Sequence, residues 1–150
     1  MSAILNPQPT PDVPTSCGTL IINPKRQILL CHVTNSVYWD IPKGRKDGDE
    51  GTLPAAIREL REETGLSFDA DLFAELGAFQ YGPMKRLHLY MVRSPASLDS
   101  LEHLVCTSHF KSYSTGKMVP EMDGYRWATR EDVPKLCRPR MAERLLSFDW

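Results

Sequence analysis

The sequence predicts one domain of the α/β or α+β class built on a mixed sheet. Three observations lead there. The chain has 150 residues, enough for one substantial core and too few for two. Short β-prone runs at 18–22 and 27–33 precede an amphipathic stretch at 52–64, and more β-prone runs follow it. The composition, 41% hydrophobic and 25% charged, is close to the soluble globular average, which argues against a disordered, collagen-like or coiled-coil chain.

Residues 1–14 contain four prolines, with no basic start and no apolar run of signal-peptide length, and read as a flexible arm ahead of a single domain over 15–150. The turn Asn23-Pro24-Lys25-Arg26 joins the first two strands as a hairpin. A third apolar segment, 38–41, is ended by Pro42 and a loop rich in glycine and charge. Over 52–64, Leu53, Ala56, Ile57 and Leu60 recur at helical spacing and form one apolar stripe. Thr52 is the expected N-cap, Pro54 sits in the first turn where its missing N–H costs nothing, and Gly65 suits the left-handed position after the last turn. Strands are expected at 76–80, 86–92, 104–110 and 124–128, with a long loop at 111–123. Thr129 can cap a helix that starts near Arg130 and is interrupted or started by Pro134, and a last helix covers about 141–146.

With 18 basic and 19 acidic residues the net charge is −1, so no global field holds a long nucleic-acid backbone, while a small anionic ligand needs only local charge. Cys17, Cys31, Cys106 and Cys137 lack C-x-x-C spacing and read as buried free thiols in a reducing compartment. No apolar run approaches the roughly 20 residues that span a bilayer, and a cytoplasmic protein is expected.

Chemistry concentrates around the first helix. On a helical wheel Glu59 and Glu63 share one flank of the apolar stripe, Glu62 lies further toward solvent, and Arg58 and Arg61 fall on the opposite flank. Glu59 and Glu63 are a like-charge i,i+4 pair near the helix C-terminus, where the backbone dipole also disfavours acids; each effect costs roughly 0.2–1 kcal/mol. A solvated acidic face is the ordinary explanation of such residues. A hard divalent cation offers a better one, because Mg²⁺ binds a few carboxylates together with water and substrate phosphate. The preceding loop adds Lys43, Arg45 and Lys46 as phosphate partners, and Gly44 lets backbone approach a ligand closely.

Gly44, five residues, Glu50, seven residues and then Arg58-Glu59-Leu60-Arg61-Glu62-Glu63-Thr64-Gly65-Leu66 resembles a complete Nudix box over 23 residues, with no departure at a fixed position. Seven fixed identities would coincide by chance about once in 10⁷ to 10⁹ windows. The resemblance implies an α/β/α sandwich with a mixed sheet and metal-dependent hydrolysis of a phosphoanhydride. It implies Mg²⁺, with Mn²⁺ as a substitute, held by Glu59, Glu62 and Glu63, one of which could instead serve as base. Arg58 would orient these glutamates and Glu50 would support the loop. A further acid in this family often precedes the last strand, and Glu121 is similarly placed.

Trp39-Asp40-Ile41-Pro42-Lys43-Gly44 resembles the Trp-x-x-Pro-Lys-Gly form of dinucleoside polyphosphate hydrolases and mRNA-decapping enzymes. A dinucleoside polyphosphate such as diadenosine tetraphosphate is the expected substrate. The alternatives are an RNA 5′-end pyrophosphohydrolase or a non-catalytic nucleotide sensor, acting as monomer or homodimer. Among aromatics able to stack a base (Trp39, Tyr81, Tyr90, Phe110, Tyr113), Tyr90 alternates with core neighbours, and Tyr81, with Lys85 and Arg86 nearby, is preferred. His88 and His109 read as structural.

Overall fold

In the computed structural model, which describes residues 13–150, the sheet grows outward from β1 (Thr15–Ile22). The apolar half of that strand, Leu20-Ile21-Ile22, is wholly buried, as a strand covered on both faces requires. On one side β6 (Arg86–Arg93) runs parallel to it over its full length, and β5 (Ala74–Gln80) pairs antiparallel with β6. On the other side β2 (Ile28–Val33) follows a tight turn in which the Asn23 side chain accepts the N–H groups of Lys25 and Gln27. β9 (Met122–Ala128) closes that edge against β2.

The expected hairpin is corrected in one respect. β1 and β2 share only the Ile22 and Ile28 register before splaying apart. The gap is filled by β3 (Trp39–Asp40), paired with β2, and β4 (Lys43–Arg45), paired with β1. Pro42 sits between the two, where its missing N–H breaks no ladder and its carbonyl accepts from Thr19. This wedge carries Lys43 and Gly44 into the centre of the sheet end.

Alternating side chains then bury against opposite layers. α1 (Thr52–Thr64) covers one face, packing Ala55, Ala56 and Leu60 on Cys17, Ile21, Leu29 and Val92. α2 (Val133–Leu136) and α3 (Pro139–Leu146) cover the other, with Val133, Met141 and Leu145 on Leu20, Leu30 and Leu89. The result is the α/β/α sandwich with a mixed sheet that the resemblance implies. All four cysteines are free and buried. No helix among the described residues is long and apolar enough to cross a membrane.

Several local expectations shift. Gly51, not Thr52, is the N-cap; Thr52 is helical and its hydroxyl bonds the Tyr90 hydroxyl at 2.7 Å. The strand expected at 104–110 shrinks to β7 (His109–Lys111), and the loop at 111–123 contains β8 (Met118–Pro120), its antiparallel partner in a separate two-stranded sheet. Thr129 and Asp132 cap each other's N–H groups, so the helix starts only at Val133. The arm expected over 1–14 lies outside the described residues as far as residue 12.

Candidate active site

α1 ends in a left-handed Gly65 whose N–H returns to the Arg61 carbonyl, so the last turn stays closed and fixes Glu62 and Glu63. Glu59 and Glu63 are both buried, while Glu62 is half-exposed. The buried carboxyl of Glu63 accepts the Lys43 backbone N–H at 2.9 Å, tying the wedge to the helix. Tyr125, on β9, donates its hydroxyl to the Glu63 carbonyl.

Gly44 faces Glu59 directly. A β-carbon at Gly44 would fall 2.1 Å from the Glu59 Cδ, a separation that atoms do not tolerate. The close approach is therefore available only to glycine.

Arg58 corrects the expected segregation of bases from acids. Its guanidinium forms a fork with Glu50, Nε to Oε2 at 3.0 Å and Nη2 to Oε1 at 2.9 Å. It also reaches Glu59 at 2.9 Å and Glu62 at 3.2 Å, and donates to the Arg45 carbonyl at 3.2 Å. Arg58 and Glu62 are one turn apart, and the long arginine side chain spans the wheel angle that separates it from Glu59. Glu50 in turn accepts the Asp47 N–H, which closes the loop before the helix. The bond to Arg58 holds the Glu50 pKa down, at about 2.

Burial raises the carboxyls of the other two acids. Glu63 rises to about 9 through desolvation, with the Lys43 N–H opposing and the charges of Glu59 and Glu121 adding to it. Glu59 is raised by burial against the pull of Arg58, with Glu62 and Glu121 contributing. Glu121, half-buried between β8 and β9, thus lies within the field of both. For Lys43, burial works against the ammonium but the adjacent Asp40 carboxylate, 2.9 Å away, more than restores it and its pKa is raised.

The other candidates are distributed differently. Arg45 is exposed and contributes its carbonyl. Tyr81 is half-buried, on the side of the Lys43 and Asp40 pair. Lys85 is exposed and lines another cavity with Val13, Phe79 and Met84. Tyr90 is core, as expected, with its hydroxyl on Thr52. His88 bonds Glu75 at 2.7 Å and stacks on Tyr90; the His109 ring meets the Thr107 carbonyl at 3.1 Å. Asp40 is the residue sequence reasoning passed over, although its i,i+3 spacing to Lys43 on either side of a proline was a signal.

The donor set fits a hard divalent cation: carboxylate oxygens only, those of Glu59 and Glu63 buried and pushed by burial toward the protonated form, with glycine at the point of closest approach. Among the described residues no three His, Cys, Asp or Glu side chains stand as a ready-made metal cage, and Arg58 occupies oxygens of Glu59 and Glu62.

Comparison with known proteins agrees with this geometry. A model of the NUDIX domain matches residues 13–148. An uncharacterised 17.7 kDa protein from the e-segB intergenic region of Enterobacteria phage T4 is 35% identical over 119 residues, covering 73% of this chain and 78% of that protein. An RNA pyrophosphohydrolase of Pseudomonas putida strain GB-1 is 29% identical, covering 88% and 93%. Among solved structures, an Ap4A hydrolase of C. elegans in a binary complex superposes with a TM-score of 0.64 at 19% identity, covering 89% and 94%, a likeness of fold. The chain therefore belongs to the Nudix family and is a pyrophosphohydrolase acting on acid anhydrides.

Proposed function

We propose that this hydrolase cleaves a phosphoanhydride bond of a dinucleoside polyphosphate such as diadenosine tetraphosphate, using Mg²⁺ at Glu59, Glu62 and Glu63. The observation that carries the reading is the double engagement of Lys43. Its backbone N–H holds Glu63 while its ammonium, kept charged by Asp40, also feels the charge of Glu63 and lies on the side of Tyr81. The ammonium is a cation suited to bind substrate phosphate beside the carboxylate cluster. Nudix enzymes generally use divalent cations.

A bound Mg²⁺ would supply positive charge to the anhydride oxygens and favour deprotonation of the attacking water. The chain does the rest. Gly44 leaves room for the Glu59 carboxylate against the backbone, Lys43 and Arg45 bind phosphate oxygens, and Arg58 holds Glu59 and Glu62 in place. Glu121 is the candidate to accept the water's proton as the anhydride P–O bond breaks, and Tyr81 is the candidate to stack a base. Two neighbours in the comparison support a polyphosphate substrate by name, one an Ap4A hydrolase and one an RNA pyrophosphohydrolase.

The RNA 5′-end reading is favoured by one observation of its own: the β7 and β8 hairpin beside Glu121 presents Lys111, Lys117 and a fully exposed Tyr113. A nucleotide sensor is opposed by the intact set of box carboxylates. A panel of dinucleoside polyphosphates, nucleoside triphosphates, ADP-ribose, sugar nucleotides, diphosphoinositol phosphates and 5′-triphosphorylated RNA, scored for products with Mg²⁺, tests the assignment. The highest kcat/KM should fall on a dinucleoside polyphosphate; a clear preference for RNA ends would replace this reading with the second.

A further inference from the structure

Tyr81 marks the border between the acid cluster and a second hollow. Burial raises its phenol, and the charges acting on it are, in order, those of Asp40, Lys43, Arg138 and Arg140. Beyond it lies a cavity of about 280 Å³ lined by Gln80, Tyr81, Arg140, Glu143, Arg144 and Ser147. The hollow is thus continuous in charge with the Lys43 side of the active site. Its volume lies just below the ~300 Å³ at which small-molecule pockets begin, a size for part of a ligand.

The arginines around it are prepared for an anion. Arg138 lies over the Tyr38 ring at 4.2 Å and Arg144 over the Phe79 ring at 4.1 Å. Stacking on an aromatic face fixes a guanidinium plane and leaves its edge N–H groups free. Arg140 is exposed, with Nη1 beside Gly82 in the turn that follows Tyr81. Among the described residues none of the three forms a salt bridge, whereas Arg58 and Arg126 do. Arg140 and Arg144 are one helical turn apart on α3, so both guanidinium groups reach the same wall of the cavity. Glu143, on the same wall, offers an acceptor suited to a ribose hydroxyl.

We propose that this cavity is a subsite for the phosphate and ribose remote from the cleaved bond, with Arg140 and Arg144 as the groups that favour long polyphosphate chains over short ones. The inference rests on the dinucleoside polyphosphate reading and deepens it. Tyr81 then stands between the reacting phosphates at Lys43 and the remote phosphate at Arg140. Chain length is sensed because only a substrate long enough to pass Tyr81 reaches both arginines.

The test pairs binding with turnover in wild type, Arg140→Gln and Arg140→Lys. Calorimetry measures inorganic tripolyphosphate and orthophosphate; kinetics measures diadenosine tri-, tetra- and pentaphosphate. Arg140→Gln should weaken tripolyphosphate about tenfold and orthophosphate less than twofold, as loss of one charge-assisted hydrogen bond implies. The KM for the tetra- and pentaphosphates should rise about tenfold, more than for the triphosphate, with most of the effect outside kcat, and Arg140→Lys should recover part of it. Tripolyphosphate affinity equal in wild type and Arg140→Gln would overturn the subsite whatever the enzyme hydrolyses. Failure of wild type to turn over any dinucleoside polyphosphate would overturn the parent reading, while the tripolyphosphate titration would still decide whether the subsite exists.

Discussion

Glu63 holds its carboxyl about 1% exposed with a pKa near 9, and a definite pH dependence follows. In metal-free protein the folded state keeps this proton between the unfolded value of about 4.5 and pH 9, while the unfolded chain releases it. The folded state binds more protons, so stability falls as pH rises through that window. The penalty is about 3 kcal/mol at pH 7. Thermal melts in EDTA should show Tm falling from pH 5 to pH 9, and Glu63→Gln should flatten that slope. The same variant should lower kcat on the order of 10²-fold or more in Mg²⁺, because it removes charge while keeping the acceptor for the Lys43 N–H. A wild-type Tm independent of pH would contradict the burial of an uncompensated acid.

Gly44 supplies a second residue-scale expectation. In Gly44→Ala the new methyl must displace the Glu59 carboxylate, and a shift of about 1 Å costs on the order of 10²-fold in rate. Steady-state kinetics would show it, with circular dichroism confirming the fold. The spacing of the box singled out Gly44, Glu59 and Glu63. The Arg58 fork escaped the wheel argument because a helical wheel records direction and ignores side-chain reach.

At the scale of elements, the span of α1 was legible, since its apolar stripe, its proline and its terminal glycine all agree on 52–64. Only the cap was misplaced: Thr52 finds a better partner in Tyr90 across the core, a contact that is 38 residues distant in sequence. Leu60 anchors this helix at zero exposure between Glu59 and Arg61. Leu60→Ala should cost about 2–5 kcal/mol, read as a fall in the urea midpoint with unchanged slope. The first hairpin was legible as a turn and not as a pairing, because the wedge that separates its strands comes from residues 39–45 and no local pattern reports it. The same limit hid β8 inside a supposed loop.

For the whole molecule, the pattern of elements pointed to the class and a mixed sheet, while the parallel β1 and β6 pairing joins residues 71 apart and is invisible to periodicity. The arginines of α3 were missed for a related reason: a net charge of −1 says nothing of three cations gathered beside Tyr81. Under the proposed substrate, one layer's carboxylates and the other layer's arginines would hold the two ends of the polyphosphate chain. Turnover rests on metal binding at the carboxylates, whereas the pH response of metal-free protein and the arginine subsite do not depend on it. Manganese-soaked crystals and their anomalous difference maps test it most directly. A peak within coordination distance of the Glu59 and Glu63 oxygens, lost in Glu63→Gln, is the result the account predicts. A clean map at those side chains, with manganese bound elsewhere or nowhere, would contradict it.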